Sequence, residues 1–135
     1  MGVQALDHVN LRVADPAATI AFLIDVLGMT VSPLRDNWID DAAGRPVIHV
    51  GDAGRSYPAD SWRPFTPRDD SGAVHHVALS CTGYDGLLAR IRERGIDCRQ
   101  DDFPHMGIRQ ILVTAPGGVM LELNFQISDA PIPAG

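Results

Sequence analysis

Residues 74–80, Val-His-His-Val-Ala-Leu-Ser, decide how this chain reads, because residues 5–13, Ala-Leu-Asp-His-Val-Asn-Leu-Arg-Val, repeat their plan. Each run is short and alternating, and each carries a histidine near its start. Alternate residues of a strand face opposite ways. Val77, Leu79 and Cys81 therefore share one face, and His76, Ala78 and Ser80 the other. In the first run, Val9, Leu11 and Val13 oppose His8, Asn10 and Arg12. The same alternation assigns His75 to the face opposite His76.

Outward from these runs, each is followed by a helical pattern that stops at a glycine. Asp15-Pro16 is an N-cap followed by proline at the first helical position, and Ile20, Leu23, Ile24 and Leu27 form a stripe ending at Gly28. Leu87, Leu88 and Ile91 form the second stripe, ending at Gly95. Further strands are expected over residues 29–34, 46–50, 96–99, 107–114 and 119–125, with a short strand or turn at 37–41. Val47, His49 and Gly51 should share one face of the 46–50 strand. In the last strand Met120, Glu122 and Asn124 oppose a core face of Val119, Leu121, Leu123 and Phe125.

An internal repeat is the strongest organising signal. His8 aligns with His76, Gly28 with Gly95, and Ala-Ala-Gly-Arg at 42–45 with Ala-Pro-Gly-Gly at 115–118. That register sets His49 opposite Glu122. The expected organisation is one domain of two modules, 5–50 and 73–125, with a connector at 51–72 and a loose tail at 126–135. The connector holds three prolines together with Trp62 and Phe65. A loop of that length lines a pocket or is pinned to the surface.

With 135 residues, the chain has the length of one compact domain. Its net charge of −6, with 17 acidic residues against 11 basic ones, all arginine, argues against a nucleic-acid partner. No apolar run is long enough to span a bilayer, and no basic segment followed by an apolar core opens the chain. A cytoplasmic setting is the expectation. The two cysteines, Cys81 and Cys98, read as small apolar residues of strands rather than a disulfide.

Two histidines and a carboxylate form a facial ligand set for a divalent first-row metal, with positions left for substrate. Fe, Mn, Ni, Co and Zn all suit imidazole and carboxylate. A lone strand histidine is more often an ordinary core or surface residue than a ligand. Glu122 is different: within Val-Met-Leu-Glu-Leu-Asn-Phe its charge is costly unless partnered. His49 reads as a fourth ligand, a base or a pocket residue. His105, in Pro-His-Met-Gly, reads as a surface residue within reach of a substrate.

Asp-His-Val-Asn-Leu, His-His-Val-Ala-Leu-Ser and Ala-Pro-Gly-Gly-Val-Met-Leu-Glu-Leu resemble the vicinal oxygen chelate superfamily, the glyoxalase, bleomycin-resistance and extradiol-dioxygenase group. The resemblance runs from about Ala5 to Phe125. It implies an α+β fold of two βαβββ modules curled into a half-open mixed β-barrel. It also implies a homodimer in which strands of both chains often complete the site. Carried onto this sequence, the metal ligands are His8, His76 and Glu122, with His49 at the variable fourth position and Glu122 and His49 as proton carriers. Two enzymatic readings stay open. Glyoxalase-like lyases and isomerases place a carboxylate where this chain has His49. Extradiol dioxygenases keep a histidine base near that strand and another near His105, but their strand tyrosine is replaced here, with Leu112 the nearest match. Antibiotic-sequestering members bind small molecules without a metal and normally lack the ligand set. Fosfomycin-modifying members share the ligand set, but no cationic cluster suits a phosphonate.

Overall fold

The computed structural model describes residues 1–134 and divides the chain into two compact units, Met1–Pro67 and Arg68–Gly135. Each unit is a four-stranded mixed sheet with a helix between its first two strands, so the fold is α+β and each unit is a βαβββ module.

In the first unit β1 (Val9–Val13) leads into α1 (Pro16–Ala21), then β2 (Thr30–Val31), β3 (Trp38–Asp40) and β4 (Pro46–Asp52). The sheet order is β1-β4-β3-β2, with β1 and β4 parallel. Asp15 caps α1 by accepting a hydrogen bond from the Ala18 amide at 3.0 Å. The helix continues into a wider π-helical turn, Phe22–Val26, and closes at Gly28, whose φ of 74° suits glycine. Its buried stripe is Thr19, Phe22, Leu23 and Val26, one position earlier than the expected Ile20, Leu23, Ile24 and Leu27. Thr19 causes the shift. Its hydroxyl donates to the Asp15 carbonyl at 3.3 Å, which satisfies its only strong donor and lets it enter the core.

The second unit repeats this plan with β5 (His76–Cys81), α2 (Tyr84–Glu93), β6 (Cys98–Phe103), β7 (Ile108–Thr114) and β8 (Met120–Gln126), in the order β5-β8-β7-β6. Leu87, Leu88 and Ile91 of α2 are buried as the stripe required, joined by Tyr84. Beneath them lie Ile111, Val113, Leu121, Leu123 and Phe125. Strand β6 starts later and runs further than the expected 96–99. Cys-Arg-Gln-Asp-Asp-Phe has no alternation of its own; pairing with β7, from Cys98 against Val113 to Phe103 against Ile108, makes it a strand. Its charges suit an edge. Conversely, 29–34 shrinks to the two residues of β2.

Arg12 of β1 ties Arg55, Tyr57, Asp60 and Phe65 of the connector to the first sheet. Arg12 donates to both carboxylate oxygens of Asp60, at 2.6 and 2.9 Å, and to the Arg55 carbonyl at 2.7 Å. Its guanidinium lies over the rings of Tyr57 at 4.7 Å and Phe65 at 4.4 Å. The Arg12 hydrogen bonds hold the Asp60 carboxyl below the usual carboxylate range. Gly51 makes this crossing feasible, since a Cβ there would stand 2.9 Å from Arg12 Cγ. Trp62 takes no part and is 84% exposed. Both Arg12→Ala and Gly51→Ala are therefore expected to speed tryptic cleavage at Arg55 by roughly tenfold, because local opening sets proteolysis. Unchanged cleavage would show that the segment is held by other contacts.

The tail is not loose throughout. The Ala130 amide bonds the Gln126 carbonyl at 2.9 Å, and the Pro131 carbonyl accepts from buried Arg109 at 3.3 Å. No helix among the described residues is long and apolar enough to cross a membrane.

Candidate metal-binding faces

The face of each sheet turned away from its helix carries the residues that the repeat singled out. Asn10 pairs with His49 across β1 and β4, and Ala78 pairs with Glu122 across β5 and β8. His8 stands two residues before Asn10, and His76 two residues before Ala78. The two units thus set one first-strand histidine diagonally beside one last-strand residue, His49 or Glu122.

In the second unit His76 Nε2 and Glu122 Oε2 are 3.8 Å apart. Asn124, two residues along β8, donates from Nδ2 to the same Oε2 at 3.1 Å. Asn124 Oδ1 is buried without a partner. The Glu122 side chain is 20% exposed, so its carboxylate is partly withdrawn from water while its outer oxygens stay reachable. Two donors each about 2.1 Å from one ion stand between ~3.0 Å apart, at a right angle, and ~4.2 Å apart, opposite each other. The His76–Glu122 spacing lies inside that range, so this pair fits a shared divalent ion.

In the first unit His8 and His49 stack face to face, with centroids 3.7 Å apart and planes inclined by 15°. Trp38 stacks on the other side of His49 at 4.3 Å, and the Arg35 guanidinium lies 5.4 Å from the Trp38 ring centre. Imidazole lone pairs lie in the ring plane, so those of His8 and His49 run nearly parallel rather than converging. Burial, with the nearby His8 charge second, pushes the His49 pKa below its ordinary value. Nothing in the sequence analysis marked Trp38. Its cross-strand register with His49 supplies the contact, and that register exists only once β3 and β4 pair.

Lowered protonation has a stability consequence. The unfolded chain binds a proton at His49 near pH 6.5, whereas the folded stack binds it only lower. The stack's contribution is complete above about 6.5 and is lost as pH falls through that value toward the folded pKa. Melting temperature should therefore drop between about pH 7.5 and 5.5. His49→Phe, which keeps a ring but cannot titrate, should flatten the drop; an unchanged pH profile would exclude His49 as its source.

His75 departs from the expected alternation. It precedes β5, so no sheet pairing fixes its direction, and its Nδ1 lies 2.9 Å from His76 Nδ1. His105 sits exposed in the short helical turn Pro104–Met106. Cys81 and Cys98 are free and half-buried, and burial pushes the Cys81 thiol up to about 11, which keeps it protonated. Among the described residues no group of three or more His, Cys, Asp or Glu side chains is placed to hold one ion; the structure supplies pairs.

Known proteins share this architecture. Uncharacterized protein YaeR of Escherichia coli (strain K12) is 29% identical over 136 residues, spanning 93% of this chain and 99% of YaeR. A glyoxalase/bleomycin resistance protein/dioxygenase from Nocardioides superposes with a TM-score of 0.65 at 22% identity, covering 100% of this chain and 92% of that one. TnmS3, an antibiotic binding protein from Streptomyces, does so with a TM-score of 0.60 at 20% identity, covering 93% and 98%. At such identities these two structures establish the fold alone. The sequence pattern of the Glyoxalase/Bleomycin resistance protein/Dioxygenase superfamily matches residues 5–123, nearly the full chain, and with the two βαβββ modules it places this protein in that superfamily.

Proposed function

We propose that the chain is a metal-dependent enzyme acting on a small substrate that chelates the metal through two neighbouring oxygens, with glyoxalase-like lyase or isomerase chemistry as the leading form. The observation that carries this reading is the 3.8 Å approach of His76 Nε2 to a partly buried Glu122 in a strand whose opposite face is the apolar core. His8, His76 and Glu122 are the proposed ligands, completed within one chain or across a homodimer. A bound Fe, Ni, Mn, Co or Zn ion would polarise the substrate oxygens and stabilise developing enolate charge. The chain's own groups supply the proton traffic. Glu122, free to exchange one oxygen, and His49, held toward its neutral form by burial, are suited to accept a proton from substrate carbon. The parallel stacking of His49 on His8 favours this base role over that of fourth ligand.

Two other readings keep specific support. A histidine rather than a carboxylate at position 49 favours ring cleavage of a catechol by an Fe(II) extradiol-type dioxygenase. The aromatic stack of His8, His49 and Trp38, which a planar molecule would extend at an outer ring, together with the antibiotic-binding structural neighbour, favours non-catalytic capture of such a molecule. Protein purified without oxygen and analysed for metal separates the three. Ni, Co or Zn with hemithioacetal turnover supports the first, and Fe with oxygen uptake on catechols the second. Failure to retain any added divalent metal, with ligand quenching of tryptophan fluorescence, would replace both with the third.

A further inference from the structure

His76, the first residue of β5, and His8, which directly precedes β1, are each held at the same nitrogen by the residue immediately before them. His8 Nδ1 lies 2.6 Å from Asp7 Oδ2, and His76 Nδ1 lies 2.9 Å from His75 Nδ1. Positions 7 and 75 are equivalent in the repeat. A carboxylate only accepts, so the proton of the first contact belongs to His8 Nδ1. From these paired contacts we infer that Asp7 and His75 are positioning residues that hold His8 and His76 as Nδ1–H tautomers and leave Nε2 of each free for the metal.

In the second unit the proposed metal role of Nε2 gives this assignment its direction. Nε2 is the His76 atom that approaches Glu122 Oε2, and Nδ1 is the atom turned to His75. For His76 Nδ1 to donate, His75 Nδ1 must accept, so His75 carries its own proton on Nε2. The tautomer of a ring is set by the bond its other nitrogen makes, and such outer partners fix ligand orientation. One partner is an anion and the other a neutral ring, so the repeat preserves the geometry with different chemistry. Asp7 and His75 are both exposed, so substituting them leaves the cores untouched.

The metal half of this inference, and with it the direction of the His75–His76 hydrogen bond, rests on the proposed function; the His8 tautomer, set by the Asp7 carboxylate, does not. Long-range proton–nitrogen NMR of the metal-free protein reads the tautomers directly, and Co²⁺ titration reads the consequence. His8 and His76 are expected as Nδ1–H. Asp7→Leu and His75→Leu should each lose that fixed tautomer and weaken Co²⁺ binding by about 10–100-fold. Asp7→Asn and His75→Gln retain an acceptor oxygen and should restore both readouts substantially. Nε2–H tautomers in the unmodified protein would overturn the inference. So would Co²⁺ binding unaffected by the leucine substitutions, which would leave the metal reading standing. Unmodified protein that binds no Co²⁺ would overturn the metal reading and the assignment of Nε2 as ligand together.

Discussion

Glu122→Gln is expected to lower affinity for Co²⁺ or Zn²⁺ by on the order of 100-fold or more, equivalent to about 2.7 kcal/mol. Glutamine keeps the size of the side chain and one carbonyl oxygen, but it removes the negative charge that a divalent ion needs among two neutral imidazoles. The Asn124 amide donates to Glu122 Oε2 in the structure and can donate equally to an amide oxygen, so the strand should keep its geometry. Metal-free stability should therefore not fall, because the substitution removes a partly buried charge rather than a packing contact. Calorimetric titration beside a thermal melt separates the two effects. Equal metal affinity in the variant would remove Glu122 from the ligand set, and a lower metal-free melting temperature would assign it a structural role instead.

Arg109→Ala should cost about 3 kcal/mol and lower the melting temperature by roughly 10 °C. Arg109 is 7% exposed and lies on the core face of β7 between the helix and the sheet. Its Nε donates to Asp102 at 2.9 Å, its guanidinium sits 3.8 Å from the centre of the Tyr84 ring, and it also holds the Pro131 carbonyl. Tyr84 in turn packs edge-on against Phe125 at 5.0 Å and accepts at its hydroxyl from Gln100 at 2.7 Å. Removing the guanidinium strips a cation from an aromatic face and leaves Asp102 unpaired in one step. Arg109→Met, which refills the volume without the charge, should recover part of the loss. Chemical denaturation of all three proteins tests the ranking. Equal stability of alanine and methionine variants would show that the charge network, not the filled volume, is what Arg109 contributes.

Much of the architecture was legible from residue order. Alternation in residues 5–13 and 74–81 set the faces of β1 and β5, because a pleated strand must send successive side chains to opposite sides. The repeat set His49 in register with Glu122, and the parallel pairing of first and last strands in each unit has that register. Local chemistry was enough there: apolar period, proline and cap residues, and the two glycines at positive φ that end the helices.

Features made by contact between distant segments were decided by tertiary structure alone. β6 has no periodicity and exists because β7 offers it a ladder of hydrogen bonds. Thr19 looked polar until its hydroxyl found the Asp15 carbonyl. The connector read as lining a pocket or as pinned to the surface; that Arg12 holds it through Asp60, 48 residues away, is a pairing that no sequence pattern encodes. Trp38 reached His49 through strand register, and His75 turned back to His76 because it lies outside the sheet that would have directed it. Sequence determined the family and the faces, through periodicities that act over a few residues. Tertiary structure decided which nitrogen, which oxygen and which ring meet on those faces, because such contacts depend on ångström-scale placement that periodicity does not carry.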